Sequence, residues 1–196
     1  QAHYPTEFFC SSMQFDISNI DKIYVYCNEL KNLGFKVFKP DINSSLEKFI
    51  VKYDLNNKPV GVKYALGAIK NIGESSIKKL VDNRNQKGIF TSLINLLKRL
   101  DNSILNKRQL ESLVYSGALE SIEKNTHFLE TNMKEILKLN VSFHENKNML
   151  QKTLFESESF DFEITKKNIK NWDVFTKLKK EHEAIGFYLT NHPLEY

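Results

Sequence analysis

The stretch LGAIKNIGESSIKKLVDNR, residues 66–84, decides the fold that we expect for this chain. Its apolar residues recur at helical spacing before and after the short sequence Asn71-Ile72-Gly73. A helix does not run easily through these three residues, because Gly73 takes a positive φ without penalty and Asn71 does so more readily than most residues. The stretch therefore predicts two short helices joined by a tight hairpin.

The start of the second predicted helix is suited to an anion. Ser75 or Ser76 is expected to cap it, and its free N–H groups and its dipole make its N-terminus suitable for a phosphate. Lys78, Lys79 and Arg84 are expected to project from it. The spacing of the apolar residues around one glycine resembles the helix-hairpin-helix motif, which holds the backbone of duplex DNA. The alternative interpretation is an ordinary helical corner with a glycine turn.

Positive charge is concentrated around this hairpin. The chain of 196 residues has a net charge of +4, but residues 61–110 hold ten lysines and arginines against three acids, a net of +7. The remainder holds 18 basic and 21 acidic residues, a net of −3. A charged segment is often only a solvated face, so it is the coincidence with the hairpin that indicates a nucleic-acid partner.

A second segment, residues 91–117, repeats this pattern in a looser form. Thr91 is predicted to cap one helix and Asn106 to cap the next. Lys107 and Arg108 lie at the predicted turn. Two such hairpins side by side would follow both strands of a duplex across its minor groove. This turn lacks the glycine of the first one, and a purely structural hairpin therefore stays open as an alternative.

The flanking residues predict a mainly α-helical chain with a small β element, an α+β fold class. Ser18 is predicted to cap a helix that Gly34 ends. Residues 35–64 alternate and turn as short strands do, with a hairpin loop around residues 56–59. Further expected features are a helix from Pro5, helical residues over 125–150, a linker over 153–163, and a helix from Asp173.

The sequence offers no convincing catalytic or metal-binding group. Cys10 and Cys27 lack CxxC spacing and are interpreted as buried thiols of a reducing compartment. Asp161 and Glu163 lie in the predicted linker, where nothing would hold two metal-binding carboxylates rigid. His182 lacks the second histidine of a zinc-protease helix. We expect no metal site, no active site and, without any run of 18 apolar residues, no membrane span.

The peptide QKTLF, residues 151–155, indicates a protein partner. Its order of glutamine, two spacers, an aliphatic and an aromatic residue resembles the peptide that bacterial replication proteins insert into the sliding clamp. Leu154 and Phe155 would fill an apolar cleft while Gln151 forms hydrogen bonds at the rim. An apolar pair in an otherwise polar segment is typical of such a contact.

Six stretches, in this order along the chain, resemble one family, the bacterial C-family replicases known as DNA polymerase III alpha subunits. They are AHYPTEFF (2–9), KVFKPDIN (36–43), YALGAIKNIGESSI (64–77), LNKRQLESLVYSGALESI (105–122), the QKTLF peptide and EAIGFYLTNHPLEY (183–196). The resemblance covers essentially the whole chain. Asn71 stands where the family commonly has glycine, and it keeps the left-handed conformation accessible.

The resemblance implies a C-terminal slice of the polymerase in four parts. They are the end of the fingers region with a short β element (1–63), a tandem helix-hairpin-helix domain for duplex DNA (64–150), the clamp-binding peptide with a linker (151–165), and a helical segment (166–196). The catalytic palm with its Mg²⁺ would precede residue 1 and an OB-fold would follow residue 196. This part of a DNA-directed DNA polymerase should therefore be inactive alone and hold no cofactor.

The expected partners are duplex DNA, the sliding clamp and other replicase subunits of a cytoplasmic enzyme. DNA contacts without base readout are expected at Lys70, Asn71, Ile72, Gly73, Glu74, Ser75, Ser76, Lys78, Lys79, Asn106, Lys107 and Arg108, and clamp contacts at Gln151, Leu154 and Phe155. Two alternatives stay open. One is a stand-alone helix-hairpin-helix scaffold in repair. The other is a structural helical module whose basic patch is incidental and which has no affinity for DNA at low salt.

Overall fold

The computed structural model describes residues 3–145 and 169–195, which are mainly helical with one small sheet, as predicted. Its helices are α1 (Pro5–Phe15), α2 (Ile20–Asn32), α3 (Glu74–Lys87), α4 (Leu93–Arg99), α5 (Lys107–Tyr115), α6 (Thr126–Thr131), α7 (Met133–Glu145) and α8 (Val174–Ile185). Its strands are β1 (Lys36–Phe38), β2 (Ile50–Tyr53) and β3 (Pro59–Lys63). Short 3₁₀ turns lie at Leu66–Ala68 and Pro193–Glu195. No described helix has the length and apolarity needed to cross a membrane.

The helix caps lie one residue later than the sequence indicated in two cases. Asn19, not Ser18, caps α2, and Ser92, not Thr91, caps α4 through a hydrogen bond from the backbone N–H of Asn95. Asparagine and serine are both strong N-caps, and in each case the cap is the residue that directly precedes the first residue of the helix. The predicted helix start at Pro5 is confirmed.

The three strands form a mixed sheet in the order β1-β3-β2. The predicted hairpin of β2 and β3 is confirmed as an antiparallel pair, and Asn57 in its loop has a φ of 59°. β1 pairs in parallel with the other edge of β3, so that the fully buried Val62 lies between Val37 and Val51. At Gly61 a Cβ atom would lie 1.8 Å from the carbonyl oxygen of Lys36, so only glycine allows this close approach.

Two hydrophobic clusters make up the core of the described residues. One lies between α1, α2 and the sheet, and it includes residues beyond α8 such as Phe187 and Leu189. The other lies among the helices from α3 to α7. α8 joins the two clusters, because Ala184 belongs to the second and Ile185 to the first.

Residues 125–145, part of the segment predicted as helical, form the two helices α6 and α7 with a break at Asn132. The side chain of Asn132 donates a hydrogen bond to the carbonyl of Phe128 in α6, and the backbone carbonyl of Asn132 accepts one from the N–H of Ile136 in α7. Asn140 in α7 is fully buried and donates to the carbonyls of Leu97 and Leu100. These bonds tie α7 to the end of α4.

Arg84 does not project from α3, contrary to the sequence prediction. Its side chain is 8% exposed, and Nη1 donates hydrogen bonds of 2.7 Å to the carbonyls of Ile42 and Ser45. Arg84 follows Leu80 by four residues and Ile77 by seven, so it belongs to the buried face of the helix. Its charge therefore holds the segment before β2 and is not available to a partner.

We predict that Arg84→Met lowers the free energy of unfolding by about 2 kcal/mol, because two buried carbonyls lose a charged donor. The matched change Lys79→Met, on the exposed face of the same helix, should alter it by less than about 0.5 kcal/mol. Urea unfolding followed by circular dichroism measures both. Equal stability of the two variants would contradict the structural role of Arg84.

Candidate nucleic-acid interface

The first arm of the first hairpin is a single 3₁₀ turn, Leu66–Ala68, where the sequence had predicted an α-helix. The backbone N–H groups of Leu66 and Gly67 donate to the carbonyls of Leu46 and Glu47, so the segment is held from outside. The N–H of Lys70 then donates to the carbonyl of Ala184, at 2.9 Å, and not to a carbonyl one turn earlier. Because the N–H of Lys70 is bonded outside its own segment, the helical turn does not continue past Ala68.

The turn itself uses its residues differently from the prediction. Asn71 has a φ of 61°, and this confirms the expected left-handed conformation. Gly73 has a φ of −72° and a ψ of 142°, which any residue can adopt, and it is the N-cap of α3. The prediction that Ser75 or Ser76 caps this helix is wrong, because the helix begins before them at Glu74.

Gly73 leaves the start of α3 open. No side chain of the described residues caps this helix, and a Cβ atom at Gly73 would meet nothing closer than Ser76 Oγ at 4.0 Å. The N–H groups of Ser76 and Ile77 both donate to the carbonyl of Gly73, so within the described residues the N–H groups of Glu74 and Ser75 are the ones left for a ligand. Gly73, Glu74 and Ser75 are all exposed. The carboxylate of Glu74 stabilises the positive end of the helix and partly offsets its attraction for a phosphate.

The remaining predicted residues of the first hairpin differ in accessibility. Lys78 and Lys79 are exposed on α3. Ile72 is half-buried and packs on the core, so it anchors the turn. Lys70 is also half-buried, and its Nζ lies 3.1 Å from the position that a Cβ atom on Gly186 would occupy. Lys70 is thus placed at the C-terminal end of α8, where the helix dipole favours a cation.

The second hairpin is built from a true helix, α4, and the predicted cap at Asn106 is confirmed. Asn106 and Gln109 form a full capping box, in which each side chain accepts a hydrogen bond from the other's backbone N–H. Asp101 closes the turn by accepting from the N–H and hydroxyl of Ser103, so no glycine is needed here. Lys107 and Arg108 are exposed at the start of α5.

The N-termini of α3 and α5 lie side by side. Ser76 is the third residue of α3 and Gln109 is the third residue of α5, and Gln109 Nε2 donates a 2.7 Å hydrogen bond to Ser76 Oγ. Both side chains are buried, so Ser76 lies beneath the surface that the sequence assigned to it. We call the exposed residues above this bond, 73–75 and 106–108, the paired N-termini.

Not all of the positive charge counted in residues 61–110 reaches the surface. Lys63 and Arg84 are buried, and burial lowers the pKa of the Lys63 ammonium. The guanidinium of Arg99 donates to the carbonyls of Asn83, Gly88 and Ile89, and lies 4.2 Å from the centre of the Phe90 ring. The accessible cations are thus chiefly lysines on α3 and α4 and the pair at the start of α5.

Sequence reasoning missed Gln109, which is the residue that joins the two hairpins. The signal was present, because an N-cap asparagine followed three residues later by glutamine is the pattern of a capping box. The bond to Ser76 had no signal in the sequence, since it joins residues 33 apart. The predicted clamp peptide, with Gln151, Leu154 and Phe155, lies outside the described residues.

The two cysteines, predicted as buried thiols, differ in their surroundings. Both Cys10 and Cys27 are free thiols, and Cys27 is buried as predicted, whereas Cys10 is only half-buried. Burial raises the pKa of Cys27 to about 12, so it stays protonated and unreactive. Within the described residues, no cluster of three or more His, Cys, Asp or Glu side chains is placed to hold a metal ion.

Comparison with known proteins gives the same picture of the hairpins. Residues 34–129 match the family model described as "Helix-hairpin-helix motif". Over its whole length the chain is 36% identical to the DNA polymerase III subunit alpha of Buchnera aphidicola subsp. Schizaphis graminum and covers 17% of that protein. It is 36% identical to the Caulobacter vibrioides subunit, covering 16%, and 30% identical to that of Borreliella burgdorferi, covering 17%, again over its whole length.

The chain thus spans about a sixth of the length of these relatives. The similarity extends well beyond the two hairpins, because it includes α1, α2 and the residues after α7. The chain is therefore similar, over its whole length, to a segment of DNA polymerase III alpha subunits, and it contains a helix-hairpin-helix motif.

Proposed function

We propose that this chain is the part of a bacterial replicative polymerase that holds duplex DNA by its phosphates. The observation that carries this proposal is the open N-terminus of α3, with Gly73 as a cap without a side chain, set beside the start of α5. Helix N-termini of this kind bind anions through N–H groups and the dipole. The cations of both helices add the charge that a polyanion requires.

The two hairpins contribute different groups to this function. On α3 the first N–H groups are free to donate to a phosphate oxygen, while Lys78 and Lys79 supply charge. On α5 the N–H of Gln109 is bonded to Asn106, just as the N–H of Ser76 on α3 is bonded to Gly73, so each helix leaves its first two N–H groups. On α5 these belong to Lys107 and Arg108, whose side chains add charge. The first hairpin therefore differs by a cap without a side chain, and the second by two cations in the first turn of its helix.

This set of groups binds the backbone and does not distinguish bases. Phosphate contacts from lysine, arginine and backbone N–H groups fix the position of a protein on DNA but carry no sequence information. A replicative enzyme has to hold every sequence equally well. The catalytic residues, with the Mg²⁺ that they require, are proposed to lie in other parts of the cytoplasmic polymerase, so this segment alone does not polymerise DNA.

The repair-scaffold alternative has less support. A scaffold that shared only the hairpins would resemble the polymerases only there, whereas the similarity covers the whole chain. We further propose that residues 151–155 bind the sliding clamp and that the segment works beside other replicase subunits. The support for clamp binding is the sequence of that peptide alone.

We predict that Gly73→Asp weakens duplex binding about tenfold or more while it raises the thermal stability of the chain. An aspartate N-cap stabilises a helix by a few tenths of a kcal/mol relative to glycine. The same carboxylate would occupy the free N–H groups and repel a phosphate, removing charge-assisted hydrogen bonds worth about 1.5 kcal/mol or more. Fluorescence anisotropy with a labelled duplex and thermal unfolding measure the two effects.

Two further variants serve as controls for this experiment. Gly73→Asn introduces an uncharged cap and should reduce affinity less than the aspartate. Gly34→Asn changes a glycine with a φ of 84° and no atom within 4 Å of its Cβ position, far from the hairpins in sequence, and should leave binding unchanged. A Gly73→Asp chain that binds duplex DNA as tightly as the wild type would refute the proposed site.

We predict that Leu154→Ala combined with Phe155→Ala weakens binding to a bacterial sliding clamp more than about tenfold, because the peptide then lacks both of its apolar anchors. Surface plasmon resonance with immobilised clamp measures the affinity. The neighbouring change Lys152→Ala should have little effect. Retained binding by the double variant would rule out this peptide as the segment that binds the clamp.

A further inference from the structure

We propose that Gln109 and Ser76 are positioning residues that set the separation of the paired N-termini and thereby the affinity for DNA. This inference rests on the proposed function. Neither residue touches the ligand, because Gln109 is 6% exposed and Ser76 is 7% exposed. They act through the residues above them, 73–75 and 106–108.

The Gln109 side chain makes one hydrogen bond to each helix. Its Oε1 accepts from the backbone N–H of Asn106 at 3.1 Å, which closes the cap of its own helix. Its Nε2 donates to Ser76 Oγ at 2.7 Å, one turn inside α3. The Ser76 hydroxyl in turn lies 3.5 Å from the carbonyl oxygen of Ser103, in the turn of the second hairpin. One planar amide thus fixes both helix starts.

The burial of this pair gives it a defined geometry. A buried amide or hydroxyl without a partner is costly, so the two side chains have to meet for the helices to pack. Hydrogen bonds are directional, whereas the apolar packing of residues such as Leu80 and Leu110 in the surrounding core tolerates small shifts. The Gln109–Ser76 bond therefore specifies one relative placement of α3 and α5.

A fixed separation matters because the two helices engage the same polyanion. Once one helix N-terminus holds a phosphate, the second N-terminus binds another phosphate of the same DNA molecule. The affinity of this second contact depends on how precisely the protein fixes the distance between the two helices. Any freedom between the helices would have to be given up on binding, at a cost in affinity. Lys107 and Arg108 directly precede Gln109, so the residue that joins the helices also fixes the backbone of these two cations.

The test compares the 196-residue chain with Ser76→Ala, Gln109→Met and the double variant, using a labelled duplex. Ser76→Ala removes the bond between the helices and the 3.5 Å contact with the Ser103 carbonyl, and it leaves the capping box. We expect each single variant to weaken binding about tenfold, because the freedom gained between the two helices has to be given up when DNA binds. The double variant should be little worse than either, since both remove the same bond. The slope of log K against log salt should become less negative by about 0.9 for each phosphate that the variant no longer neutralises.

Asn19→Ala is the control for stability, because it removes the N-cap of α2, remote from both hairpins. It should lower the melting temperature about as much as Ser76→Ala does, and it should leave the affinity for duplex DNA within about twofold of the wild type. If Ser76→Ala and Gln109→Met bind like the wild type, or if Asn19→Ala loses as much affinity, the positioning role is overturned while the proposed function stands. If the wild type itself binds no duplex at low salt, the proposed function fails and this inference fails with it.

Discussion

A single backbone hydrogen bond, from the N–H of Lys70 to the carbonyl of Ala184, governs how the hairpin is made. Because that N–H is used outside its own segment, the 3₁₀ turn ends at Ala68 and the chain reverses through the left-handed Asn71. The same bond fixes the hairpin to the end of α8, whose last residues reach both hydrophobic clusters. The position of α3 therefore depends on residues more than 100 positions away in the chain.

From this arrangement follows the difference between the two hairpins. The first turn needs a residue with positive φ, and it begins α3 at a glycine that has no side chain to fill the helix end. The second turn is closed by Asp101 and Asn106, whose side chains bond the neighbouring backbone. A capped helix is the more stable of the two, and an open one is better suited to an anion. The paired N-termini thus place one open helix beside one capped helix, and the hydrogen bond from Gln109 to Ser76 joins the two below the surface.

Much of the fold could be predicted from local patterns. Pro5 and Asn106 mark helix starts, Gly34 follows a helix end, and the loop around Asn57 joins two strands, because each of these residues acts on its immediate neighbours. The parallel pairing of β1 with β3 could not be predicted, since it depends on packing between distant residues. For the candidate site, the exposed lysines and the left-handed Asn71 were predictable. The spacing from Ile77 and Leu80 places Arg84 on the buried face of α3, but the partners of Arg84 and Ser76 could not be predicted, because they are 27 or more residues away in the chain.

The most direct measurement is the affinity of the 196-residue chain for a short labelled duplex, determined by fluorescence anisotropy over a series of salt concentrations and for two unrelated sequences. Binding through phosphates predicts tight association at low salt, equal for both sequences. It also predicts a log–log salt slope of about −0.9 for each phosphate that the protein neutralises. Absence of binding at low salt, or an affinity that differs between the sequences and hardly changes with salt, would contradict backbone binding by the paired N-termini.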